Sequence, residues 1–257
     1  MTIRKRTGFM KVAAAMFAVA LFAGTLAADT GHDSQIQATV TRKLAKREFN
    51  NVNASVADGI VTLSGTVDLY QNKLDAAKLA RKVSNAQGVR NLLSVAGANV
   101  PDAQLEQKLA KKLRYVRVGY DNAFDYFALG VKDGVVTVEG QDRTGIGRDE
   151  ALADIASTSG VKDVIEHITV EPVSQFDDGL RLRALRVIYG DTVLNKYAID
   201  PARPIRIIVA NGHLTLYGSV DSPMDKNIAG IRANQLFGAF SVDNKLQVEG
   251  KSGQQKL

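Results

Sequence analysis

Asp58-Gly59-Ile60-Val61-Thr62-Leu63-Ser64-Gly65 recurs twice more in the 257-residue chain, as Asp133-Gly134-Val135-Val136-Thr137-Val138-Glu139-Gly140 and as Asn211-Gly212-His213-Leu214-Thr215-Leu216-Tyr217-Gly218. Each copy opens on Asp-Gly or Asn-Gly, the dipeptide that best accepts the two positive φ angles of a type I′ hairpin turn. A strand follows, with Val61/Leu63, Val136/Val138 and Leu214/Leu216 alternating onto one face. Gly65, Gly140 and Gly218 close the copies, where glycine marks a bulge or a backbone passing too close for a Cβ. Self-similarity at a spacing of 75 and then 78 residues predicts three copies of one small module.

The flanking sequence extends the repeat. Ile36/Val40/Leu44, Leu105/Leu109/Leu113 and Leu180/Ala184/Ile188 each form an i, i+4, i+8 stripe, so a helix precedes every hairpin. Asp33 or Ser34 can cap the first of these helices. Val52, Ala54 and Val56 supply the first hairpin strand. A second helix is predicted over about 70–86, with Leu74, Ala77, Ala80 and Val83 inward and Gly88 as its stop. The corresponding helices are predicted over about 149–157 and 225–236, with the acidic pairs Asp149-Glu150 and Asp177-Asp178 complementing helix dipoles. A last strand runs over 89–95, 164–170 and 242–248, and residues 191–204 read as an extended connector with two prolines. A strand-helix-strand link crosses over right-handed, which makes hairpin strand two parallel to the last strand. The predicted fold class is therefore α+β: tandem αββαβ modules, each a small mixed three-stranded sheet with two helices on one face. The modules span 29–99, 100–172 and 173–250, with a tail at 251–257.

Arg4, Lys5, Arg6 and Lys11 precede an apolar run from Val12 to Phe22, then small residues with Thr25 and Ala27 placed for cleavage. This is the pattern of a secretory signal peptide over residues 1–27, and it predicts a periplasmic protein, or a secreted one if the host has a single membrane. Without those four cations the net charge falls from +6 to +2, so the basic balance is no argument for nucleic acid. The absence of cysteine excludes a disulfide framework, a thiolate nucleophile and a Cys-based metal site.

The order αββαβ behind a signal peptide, with G-x-V/L-x-L/V-x-G followed by a helix and Gly-Val-x-x-Val, resembles the BON domain. The residues that carry the resemblance are Gly59, Val61, Leu63, Gly65 and Gly88-Val89; Gly134, Val136, Val138, Gly140 and Gly160-Val161-Lys162-Asp163-Val164; and Gly212, Leu214, Leu216, Gly218 and Val242-Asp243-Asn244-Lys245-Leu246. The resemblance covers nearly the whole mature chain. Departures are the short last strand at Leu92-Leu93-Ser94-Val95, Ala239-Phe240 in place of valine, and longer links before the second and third hairpins. The resemblance implies a non-enzymatic envelope protein that contacts phospholipid and supports osmotic-stress response or outer-membrane integrity. A chaperone-like role toward envelope clients is the alternative it implies.

Catalytic patterns are missing. His32, His167 and His213 lie in unrelated elements without metal-ligand spacing. Asp29-Thr30-Gly31 copies an aspartic-protease tripeptide outside any strand context, and Gly140–Gly147 lacks the Lys and Ser/Thr of a phosphate loop. No catalytic residue, metal or cofactor is expected, and no small-molecule substrate. Residues 29–99 carry nine basic and six acidic groups, 100–172 nine and thirteen, and 173–257 eleven and eight. The basic excess of the first module gathers at Arg42, Lys43, Lys46 and Arg47, a face suited to an anionic headgroup layer or to plain solvation. In the second module Lys111 and Arg114 adjoin Tyr120, Phe124 and Tyr126, which read either as an interfacial aromatic run or as strand and core contacts. The expected partners are an anionic phospholipid surface or envelope proteins.

Overall fold

The three turns set the architecture. The computed structural model describes residues 30–116, 123–199 and 203–249, so the expected signal peptide, Tyr120 and the tail lie outside the described residues. Asp58, Asp133 and Asn211 adopt φ of 51°, 55° and 51°, and the glycine after each 73°, 79° and 78°, as the repeated dipeptide predicts. The first module runs α1 (Thr30–Lys43), β1 (Val52–Ala57), β2 (Ile60–Val67), α2 (Tyr70–Arg81), β3 (Gly88–Asn91) and β4 (Ser94–Val95). The second runs α3 (Asp102–Val116), β5 (Tyr126–Lys132), β6 (Val135–Asp142), α4 (Gly145–Ala156) and β7 (Asp163–Val170). The third runs α5 (Gln175–Tyr189), α6 (Lys196–Ile199), β8 (Arg206–Ala210), β9 (His213–Tyr217), β10 (Ser219–Val220), α7 (Pro223–Asn234), β11 (Ser241–Asn244) and β12 (Gln247–Val248).

In every module the second hairpin strand is central, antiparallel to the first and parallel to the last. Val61, Leu63, Val136, Val138, Leu214 and Leu216 are fully buried on the helix-covered face, against the stripes of α1, α3 and α5. Closing glycines meet a backbone: a Cβ on Gly65 would lie 2.0 Å from the Asn51 carbonyl oxygen, and one on Gly140 1.9 Å from that of Tyr126.

Four local readings are corrected. The helix α2 ends at Arg81 because Asn85, not Gly88, takes the left-handed conformation, with φ of 67°; Leu74 is exposed while Ala76 joins Ala77 and Ala80 inside. The helix α4 begins at Gly145, because the Thr144 hydroxyl accepts the Gly147 N–H at 2.9 Å, so Asp149 and Glu150 sit in its second turn. The link after α5 is not extended: it forms α6 and buries Leu194 and Tyr197 in the third core. The last strands of modules one and three break where Asn91 and Asn244 turn inward. Their side-chain amides donate to Lys73 O (2.9 Å) and Lys226 O (2.7 Å), and their Oδ1 atoms accept Leu93 N and Leu246 N, sending Leu93 and Leu246 into the core.

Candidate functional site

Each hairpin turn is held by a carboxylate from the first helix of its module. Asp33 accepts the backbone N–H groups of Asp58 (2.9 Å) and Gly59 (2.8 Å). Asp102 accepts those of Asp133 (2.8 Å) and Gly134 (3.0 Å), and Asp177 those of Asn211 (3.0 Å) and Gly212 (2.8 Å). Asp33 is thus not a helix cap, since α1 starts at Thr30, and Asp177, in the first turn of α5 as expected, is also a buried turn clamp. Sequence reading missed this role although its signal was present: each clamp stands three residues before the first apolar residue of its stripe, as Asp33/Ile36, Asp102/Leu105 and Asp177/Leu180.

The cationic residues of module one cluster as their spacing suggests. Arg42 and Lys43 close α1, and Lys46 and Arg47 follow in the turn that ends at Phe49. Phe49, 3% exposed, anchors that turn in the first core. Arg42, Lys46 and Arg47 are exposed and Lys43 half-buried, and none makes an ion pair with the described residues. Cations at a helix C-terminus also face its partial negative charge, which favours them there.

Phe124 and Tyr126, the described part of the aromatic run of module two, form a joint rather than an open face. Phe124 is 3% exposed and belongs to the core cluster of module three, with Leu180, Ile188 and Leu194. It therefore leaves the set of headgroup candidates: its ring is already withdrawn from water by its neighbour module. Tyr126 opens β5 and stacks on Tyr217 of β9, with centroids 4.0 Å apart and planes 10° from parallel. Burial, followed by the Tyr217 phenol, raises the Tyr126 pKa. Arg206 Nη1 donates to Asp125 O at 2.9 Å across the same joint. Lys111 is exposed and Arg114 half-buried on α3, whereas Lys112 is held by Asp154, at 2.7 Å to its carbonyl and 3.2 Å to its carboxylate. The structure does not bring Lys111 and Arg114 together with an exposed aromatic pair at Phe124 and Tyr126. Module one meets module two at Tyr70, whose phenol packs on the second core and is pushed up to about 12 by burial, with the Asp163 side chain as hydrogen-bond partner.

Among the described residues no group of three or more His or acidic side chains is placed to hold a metal, and no helix is long and apolar enough to cross a membrane. The acidic residues with depressed pKa values serve packing. Lys196 Nζ sits 2.8 Å from both Asp221 and Asp225. The Tyr197 hydroxyl donates to Asp225 and accepts Asp221 N. Arg232 reaches Asp191 at 2.8 Å.

The BON domain model matches three times, over residues 32–97, 101–172 and 191–250. No curated protein matches the chain. Solved structures that it resembles include CdsD, a structural protein of the type III secretion system of Chlamydia trachomatis, at 14% identity over 86% of this chain and 92% of that one, with a TM-score of 0.24. The C-terminal domain of CdsD gives 16% identity over 86% and 98%, with a TM-score of 0.25. The PrgH periplasmic domain gives 11% over 78% and 96%, with a TM-score of 0.19. At such TM-scores no functional inference passes from those proteins to this one. With three matches that together take in most of its length, the chain belongs to the BON domain family.

Proposed function

We infer that this chain is a non-enzymatic envelope protein that binds the surface of anionic phospholipid membranes peripherally. The observation that carries the reading is the group Arg42, Lys43, Lys46 and Arg47, four cations at one helix end with no partner among the described residues. Each Lys or Arg near an anionic bilayer contributes about 1 kcal/mol, so four give about 4 kcal/mol, enough for reversible attachment. Lys111 and Arg114 add two cations on α3 of the second module. Family membership supports an envelope setting, and with it a part in osmotic-stress response or outer-membrane integrity. The triple substitution R42E/K46E/R47E tests the reading. It reverses the charge while leaving the buried stripe of α1 untouched, and should abolish sedimentation with phosphatidylglycerol vesicles. Retention of wild-type affinity would remove this helix end from the membrane contact.

A further inference from the structure

The three modules act as internal controls for one another at the end that carries the hairpin turn. The backbone N–H groups of Gln87, Lys162 and Phe240 donate to Gly59 O, Gly134 O and Gly212 O at 2.8, 2.9 and 2.8 Å. Two residues earlier, Asn85, Gly160 and Gly238 share a left-handed conformation. These bonds fix the equivalence of the modules without reference to side chains. At the position before the clamp aspartate stand His32, Pro101 and Phe176; three residues before the turn-bound N–H stand Ser84, Ser159 and Phe237; at that N–H stand Gln87, Lys162 and Phe240. All three positions are phenylalanine in module three and none is in the other two.

The fold does not require these rings, because two modules build the same turn, clamp and loop without them. Nor are the rings withdrawn from water: Phe176 is 48% exposed, Phe237 92% and Phe240 73%. Phe240 lies over the turn, stacked on Phe176 at 5.7 Å and met edge-on by His213 at 6.2 Å. Phe237 precedes Gly238, where a Cβ would lie 3.6 Å from the Phe176 ring, and is the most exposed of the three. Large apolar rings left exposed at one end of a module mark a contact site, and the 92% exposure of Phe237 makes it a protrusion rather than a groove. One cation accompanies it. The Arg183 guanidinium occupies space left by two glycines, where a Cβ on Gly179 would sit 3.3 Å from Nη1 and one on Gly238 3.2 Å from Nη2. Arg183 Nε is buried without a hydrogen-bond partner, and the guanidinium makes no ion pair with the described residues. Gly179, unfavourable within α5, is accounted for by this accommodation.

We propose that Phe176, Phe237 and Phe240 form a membrane-insertion tip on the third module, whose rings enter the boundary between headgroups and acyl chains while Arg183 meets a lipid phosphate. Protruding rings with an adjacent unpaired cation match an anionic bilayer, which is fluid around the rings and supplies the counter-charge. The proposal rests on the lipid reading and adds the part of the molecule that penetrates.

The chain contains no tryptophan, so F237W places a single tryptophan at the tip, excited selectively over the seven tyrosines. With full-length mature protein and phosphatidylglycerol/phosphatidylcholine vesicles, its emission should shift to the blue and be quenched by lipids brominated on the acyl chain. The double variant F237S/F240Q installs the residues that module one carries at these positions, which keeps the turn foldable. Its affinity for the vesicles should fall by at least about tenfold, the effect of losing two partly inserted rings. R183Q should weaken binding to phosphatidylglycerol more than to phosphatidylcholine. Unchanged F237W emission, or an F237S/F240Q variant of undiminished affinity, while the wild-type protein sediments with the vesicles, would overturn the tip and leave the lipid reading standing. Failure of the wild-type protein to bind any vesicle would overturn both. If the wild-type chain is a dimer without lipid and F237S/F240Q a monomer, the tip covers a second copy and the membrane assignment is wrong.

Discussion

Removing the clamp of the third turn is the sharpest structural perturbation available. Asp177 is 3% exposed and accepts two backbone N–H bonds, one of them fully buried at Gly212. A hydrogen bond to a charged group contributes about 1.5–3 kcal/mol, so D177A should destabilise module three by about 3–6 kcal/mol. Part of this is the cost of leaving the buried Gly212 N–H without a partner in a turn whose φ angles are positive. A smaller offset comes from Glu171, whose pKa is raised first by burial and is pushed further up by Asp177, against the pull of Arg181. D177N keeps one acceptor oxygen and should cost about half as much. Asp33 makes the same pair of bonds in module one, but the bond from Asp58 is solvent-exposed and that from Gly59 only part-buried, so the Asp58 N–H regains water and D33A should cost less, about 1–2 kcal/mol. Three modules need not unfold as one unit, so the assay is amide hydrogen exchange on peptides covering β1–β2 and β8–β9 in the whole chain. Equal acceleration in D177A and D33A would refute the argument that burial sets the strength of the clamp.

Other perturbations separate local causes. G140A forces a Cβ to within 1.9 Å of the Tyr126 carbonyl oxygen at a φ of 153° and should lower stability by several kcal/mol, on the order of a core defect; G145A meets nothing within 4 Å and should be near neutral in the same urea titration. Acid should loosen module three first. Asp191 is held below the ordinary carboxylate range by the Val193 N–H and then Arg232, and Asp221 by Lys196. Burial pushes Asp225 up, but Lys196, Tyr197 and Ser222 outweigh it, so its pKa is lowered too. Folded pKa values below the unfolded ones give stability that is complete above about pH 4 and is lost as pH falls through the folded values; exchange of α6 and α7 amides at pH 3 and pH 6 reads it. Y70F removes the hydroxyl that bonds Asp163 while keeping the ring in the second core, and should increase exchange in α2 and α4 without changing the exchange of β8 or β9.

The repeat was legible because it is written in residues with hard steric or burial demands. Asp-Gly or Asn-Gly at a left-handed turn, glycine under a passing carbonyl and an i, i+4, i+8 stripe each allow few substitutes, and all three modules keep them. Polar residues with two possible partners were harder. Asp33 and Asp177 stand where a cap or a dipole partner stands, and only the folded hairpin brings the turn N–H groups to them. Asn91 and Asn244 break the last strands through bonds to α2 and α7 that no local pattern announces. The candidate surface divided along the same line. Arg42, Lys43, Lys46 and Arg47 needed only one helix end to be gathered, whereas the fate of Phe124 depended on a neighbouring module. Phe176 lies far in sequence from Phe237 and Phe240, and it stacks on Phe240 only through the fold.

Co-sedimentation of the mature chain with phosphatidylglycerol-containing vesicles and with phosphatidylcholine vesicles, at low and at high salt, bears most directly on membrane recognition. Attachment through Arg42, Lys43, Lys46 and Arg47 predicts binding that requires the anionic lipid. It also predicts loss of most binding as the screening length shortens from about 10 Å at 0.1 M salt to about 3 Å at 1 M. Protein left in the supernatant at every salt concentration, or equal binding to both vesicles, would contradict it.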